Sequence, residues 1–142
     1  MTQVDFHILP VLQATDRYAY AARLVAKATG RQHRVLLAVN DETEAQNLSN
    51  ALWGASPESF LAHGRLDQEA EAVQIGWHDH PGDHHDILIN LAADIPEYFS
   101  RFHRVFEVVS QDPDILAQTR DHYRFYQDRG YPLSRHDLRD RV

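Results

Sequence analysis

Residues 34–40, R-V-L-L-A-V-N, form a continuous apolar run without polar residues at alternate positions. A strand with one wet face alternates polar and apolar residues. An unbroken run instead fits a parallel strand covered on both sides. V-Q-I-G-W (73–77), D-I-L-I-N-L (86–91) and R-V-F-E-V-V (104–109) supply further strands, and near the start Val4, Phe6 and Ile8 alternate with Asp5 and His7. Helical segments separate them. An alanine-rich stretch runs from about Asp16 to Thr29 and is stopped by Gly30. Asp41 with Glu44 makes a capping box for a second helix, which carries Ala45, Leu48, Ala51 and Leu52 on one side and ends at Trp53-Gly54. Asp94 and Pro96 open another, and Asp112-Pro113 starts the last, which Gly130 ends. Alternating strands and helices predict a mostly parallel α/β sheet with helices on both faces.

The 142 residues suffice for one domain with a substantial core, and no repeat, linker or boundary divides them. The absence of cysteine excludes disulfides and thiolate metal sites. M-T-Q-V-D-F-H-I-L-P has neither the basic start nor the apolar stretch of a signal peptide, and no run approaches membrane-spanning length, so a cytoplasmic protein is expected. Net charge is −7, unevenly spread: residues 1–100 hold 6 basic and 14 acidic side chains, residues 101–142 hold 8 and 7, and those late bases are all arginines. A net-acidic chain makes a poor general binder of nucleic acid. A local arginine cluster suits a specific carboxylate-bearing partner, or else is a solvated helix face balancing its own aspartates.

The usual nucleotide-binding loops are missing. L-P-V-L-Q-A-T after the first strand has no glycine, N-D-E-T after the second is acidic, and neither a P-loop nor G-x-G-x-x-G occurs. There is no G-x-S-x-G elbow and no cysteine nucleophile, so no catalytic residues and no cofactor are expected. One enzymatic alternative comes from W-H-D-H-P-G-D-H-H-D at 77–86. It resembles the H-x-H-x-D-H signature of metallo-β-lactamase-type hydrolases, but Gly82 stands where that signature needs Asp, and Asp83-His84 arrive one residue late. His78, His80, His84 and His85 remain candidates for adventitious metal binding on a turn-containing loop.

On the last helix, Ile115, Thr119, His122 and Tyr126 share a stripe that can pack onto the sheet. Leu116, Arg120, Tyr123, Arg124 and Gln127 form the adjacent stripe, an apolar shelf with fixed positive charge. It can receive an acidic peptide, or be a boundary stripe whose arginine stems cover the tyrosine.

V-D-F-H-I-L near the start, A-L-W-G-A-S-P-E-S-F-L-A-H-G at 51–64, D-I-L-I-N-L, R-V-F-E-V-V and R-D-H-Y-R-F-Y-Q-D-R-G-Y-P-L at 120–133 together resemble the chi subunit of the bacterial DNA polymerase III holoenzyme. The likeness runs from about Val4 to Leu138. It implies a non-enzymatic bridging subunit on a Rossmann-like three-layer α/β/α sandwich without a nucleotide-binding loop. It also implies binding of the acidic C-terminal tail of the single-stranded DNA-binding protein, on Val109, Arg120, Tyr123 and Arg124. Pairing with the psi subunit of the clamp-loader complex, or with an alternative helicase, is implied on Trp53 and Phe60. Departures from the family pattern are Leu116, where relatives can carry lysine, Gln127 for a frequent arginine, and Ala62 for a frequent proline.

Overall fold

The structure, a computed structural model, describes residues 1–54, 64–65, 72–77 and 79–139. In chain order they form β1 (Gln3–Ile8), α1 (Arg17–Gly30), β2 (Val35–Ala38), α2 (Glu42–Gly54), β3 (Gly64–Arg65), β4 (Val73–Gly76), β5 (Ile87–Asn90), β6 (Arg104–Val109), α3 (Pro113–Asp128) and β7 (Leu133–Asp137). The strands make one sheet in the order β3-β4-β2-β5-β6-β1-β7. Every neighbouring pair is parallel.

The unbroken apolar runs sit where two-sided burial requires them, at the centre of the sheet. Val35, Leu37, Ile87 and Ile89 point to one face and join Ala21, Ala22 and Val25 of α1 with Leu48 and Leu52 of α2. Leu36, Ala38 and Leu88 point to the other face, with Phe99 and Phe102 from the segment before β6 and Tyr126 of α3. Two helices thus cover one side and α3 covers the other, giving three layers. Burying even one of these leucines contributes about 1.5–3 kcal/mol relative to leaving it in water.

Three local expectations are corrected. No α-helix opens at Asp94. That segment turns instead into a single 3-10 turn, Phe99–Arg101, with Phe99 N–H donating to the Pro96 carbonyl at 3.0 Å. Side chains claim the carbonyls a helix would need: Asn90 Nδ2 donates to Asp94 O at 3.3 Å, and His122 Nε2 bonds Ala93 O at 2.7 Å. Secondly, α1 includes Gly30 and is stopped at Gln32, which adopts φ +65°, a left-handed conformation unusual for a side chain with a Cβ. His33 N–H and Gln32 N–H then cap the carbonyls of Ala28 (3.0 Å) and Thr29 (2.9 Å). Thirdly, only half of the α2 capping box forms. Asp41 Oδ1 accepts from Glu44 N–H at 2.8 Å, while the Glu44 carboxylate turns to Asn40 Nδ2 at 3.0 Å.

Candidate functional site

The sequence P-D-I-L-A-Q at 113–118 starts α3 with proline in the first turn, where its missing N–H costs nothing. Asp112 caps it, accepting from Asp114 N–H at 2.9 Å and Ile115 N–H at 3.2 Å. At the other end Gly130 takes φ +76°, which lets Gly130 N–H reach Gln127 O at 3.0 Å and Tyr131 N–H reach Tyr126 O at 3.1 Å. The helix is therefore fixed at both ends.

Its inward stripe is fixed too, by a buried polar network. Glu107 on β6 accepts from Tyr126 Oη (2.9 Å) and Asn90 Nδ2 (2.9 Å) through one oxygen. Its other oxygen lies 3.0 Å from His122 Nδ1. Burial and the Glu107 carboxylate together push the Tyr126 hydroxyl far up, so it stays protonated and donating. A buried carboxylate without such partners costs several kcal/mol, so the network specifies the rotation of α3 about its axis.

That rotation places Arg120, Tyr123, Arg124 and Gln127 on the outward side, at the rim of a recess of about 350 Å³. Phe6 and Ile8 of β1 form its floor, and Arg135 of β7 lines it from the far side. Tyr123 packs on Phe6 with ring centroids 5.3 Å apart. Arg120, Arg124 and Arg135 are exposed, and among the described residues none of them is paired with a carboxylate. An apolar floor ringed by three unpaired guanidinium groups can hold a short chain with carboxylates and an apolar end group.

The structure brings together Arg120, Tyr123 and Arg124. Val109 is buried beside them, opposite Ile8 in the β1–β6 register, but it does not line the recess. Leu116 packs into the core on the α3 side of the sheet. Ile8 and Arg135 escaped the reading of the sequence. Arg135 sits in L-S-R-H-D, which has too few apolar residues to signal a strand, and the alternation around Ile8 signals a strand and nothing more. Trp53 belongs to the last turn of α2, and Phe60 lies outside the described residues.

The histidine-rich loop does not assemble a ligand shell among the described residues; His78 falls outside them. His84 turns inward, is fully buried and bonds Gln74 Oε1 through Nε2 at 2.6 Å, while His80 and His85 stay exposed. Asp83 and Asp86 are held by Arg34, through its guanidinium at 3.1 Å and its backbone N–H at 2.9 Å. The loop is tied to the start of β2 by its own carboxylates.

The family described as DNA polymerase III chi subunit, HolC, matches residues 1–134. The chain belongs to that family. It is similar to the DNA polymerase III subunit chi of Pseudomonas aeruginosa, 39% identical over 139 residues covering 97% of this chain and 98% of the relative. The subunit chi of Escherichia coli K12 is 27% identical over 142 residues, covering 94% and 97% of the two chains. That of Haemophilus influenzae is 27% identical over 118 residues, covering 80% and 82%. Membership places the chain among the subunits of DNA polymerase III and in DNA replication. No described helix is long and apolar enough to cross a membrane.

Proposed function

We propose that this chi-family chain is a non-catalytic, single-domain accessory subunit of the bacterial cytoplasm that docks the acidic C-terminal tail of the single-stranded DNA-binding protein on α3. It links that tail to the psi subunit of the clamp-loader complex through a second surface that includes Trp53 and Phe60, which an alternative helicase can use instead. The observation that carries the tail site is the recess around Tyr123 with three arginines that pair with no carboxylate among the described residues, on a chain of net charge −7. Local positive potential of this kind steers an acidic chain despite the overall charge.

In this reading Arg120 forks onto a carboxylate near the end of the tail, Arg124 and Arg135 take further carboxylates, and an apolar end group lies on Phe6, Ile8 and Tyr123. The surface is small and open, so the affinity is on the order of micromolar, about −8 kcal/mol. Salt weakens it by screening the pairs.

The test is a fluorescence-anisotropy titration with a labelled peptide copying the C-terminus of the host's single-stranded DNA-binding protein, at two salt concentrations. Arg120→Ala is expected to lose ~1.5–3 kcal/mol, the range for hydrogen bonds to charged groups. An unchanged affinity removes Arg120 from the site. Trp53→Ala is expected to leave tail binding intact while weakening capture of psi; loss of tail binding in that variant, with the fold retained, merges the two surfaces into one.

A further inference from the structure

On the sheet face covered by α1 lies a larger cavity, about 630 Å³, open to solvent. Its floor includes β1, with β6 on one side and the edge strand β7 on the other. β1 and β7 run parallel with His7 directly opposite His136, and Asp5 lies two residues before His7 on the same face. The ligating atoms of Asp5, His7 and His136 lie within 4.8 Å of one another.

His7 is the informative member. The residue is 8% exposed, with its ring wedged against Phe106 (5.1 Å) and stacked on His136 (4.8 Å, 21°). Its Nδ1 is engaged with Tyr20 Oη at 2.7 Å. Its Nε2 is buried without a hydrogen-bond partner, in a cavity whose lining also includes Asp5 and His136. Buried polar atoms in folded proteins are overwhelmingly paired, and an exception calls for an explanation. The hydrogen bond to Tyr20 supplies one: with Nδ1–H donating to Oη, Nε2 keeps a lone pair, the tautomer a metal ligand needs.

We propose that Asp5, His7 and His136 form a binding site for a divalent transition-metal ion, with zinc the ion that two imidazoles and one carboxylate suit. Arg104 donates to Asp5 Oδ2 and Gln3 Nε2 to Oδ1 at 3.3 Å, but a carboxylate has about four acceptor positions and can serve both donors and a metal together. In that arrangement Arg104 orients the carboxylate, as outer partners of metal ligands do. Zinc–ligand bonds of about 2.0–2.2 Å call for tighter spacing than the present one. The exposed His136 ring supplies the movement, leaving its stack on His7 to close the shell. A fourth position faces the cavity and is open to water. The ion joins β1 to its neighbour β7, an edge strand whose backbone is paired on one side alone.

The test uses full-length protein without a histidine tag, purified through a chelator, with zinc titrated by calorimetry and cobalt by its visible spectrum. Beside the wild type stand His136→Ala, an exposed position whose loss spares the fold, and a His80→Ala/His85→Ala double variant of the histidine-rich loop. One ion per chain is expected, with affinity falling at least tenfold in His136→Ala and unchanged in the double variant. The cobalt spectrum of a nitrogen- and oxygen-ligated site should disappear in His136→Ala alone. No saturable binding, binding indifferent to His136, or binding that depends on the loop histidines overturns the proposal.

Discussion

His84 and His122 are both buried, yet they titrate in opposite directions. Burial first, then the Arg34 charge, bring His84 down to about 4 from its ordinary 6.5. For His122 burial alone would do the same, but the hydrogen bond and charge of Glu107, with the Ala93 carbonyl, outweigh it and raise the value. The consequences for stability differ in sign. A lowered value means that the unfolded chain binds the proton more readily, so the contribution of His84 is complete above pH 6.5 and is lost as pH falls toward about 4. The His122 contribution is complete below the unfolded value and is lost as pH rises through the raised one. His84→Leu is expected to be less stable than the wild type by about 1–2 kcal/mol at pH 7, through loss of the bond to Gln74. That gap should narrow at pH 5. Urea midpoints at the two pH values measure it, and a constant gap means that His84 does not titrate as its burial implies. Nothing in H-D-H-P-G-D-H-H-D says which histidine turns inward. The choice depends on Gln74, ten residues earlier on a neighbouring strand.

Among the elements, α3 was legible because its signals are local: Asp112 and Pro113 at one end, Gly130 at the other, and a stripe at helical spacing between them. β7 was illegible for the opposite reason. L-S-R-H-D is half-exposed to exposed along its length and becomes a strand because β1 offers it an edge to pair with. The segment after Asp94 shows the same override from the other direction, since its helical signals were sound locally and lost to side chains from β5 and α3. Half of the candidate peptide site was therefore readable, the half on α3, while its floor and far wall on β1 and β7 depended on sheet order. The cap at Asp112 gives a test at this scale. Asp112→Ala frees two N–H donors in the first turn and is expected to cost about 0.5–2 kcal/mol. A urea titration should show a lower midpoint at unchanged slope, since the surface exposed on unfolding stays the same. A change of slope instead points to fraying of the whole helix in the native state.

For the molecule as a whole, an open α/β sheet ordinarily binds ligands where neighbouring strands send their connections to opposite faces, beyond the strands' carboxyl ends. Here β1 and β6 are one such pair, leading to α1 and α3 respectively. The crevice between them is stitched shut. Gln111 donates through its backbone N–H to Val11 O at 2.7 Å and through Nε2 to Leu9 O at 3.0 Å. The buried Arg17 guanidinium fills the neighbouring strand ends, donating to Val108 O (3.3 Å) and Leu91 O (3.2 Å). Millimolar ATP or NAD is accordingly expected to leave the thermal midpoint unchanged. A saturable rise would mean that these loops part.

The sheet order has a further consequence, for the moment of synthesis. β1 is made first, but both strands it pairs with, β6 and β7, lie beyond residue 103. While the ribosome is still adding the middle of the chain, β2, β4 and β5 can already assemble under α2, but V-D-F-H-I has no neighbour on either side. Folding of this sheet must therefore end at the strand made earliest of the seven, which waits about a hundred residues for its partners, the kind of delay that exposes a nascent chain to wrong partners.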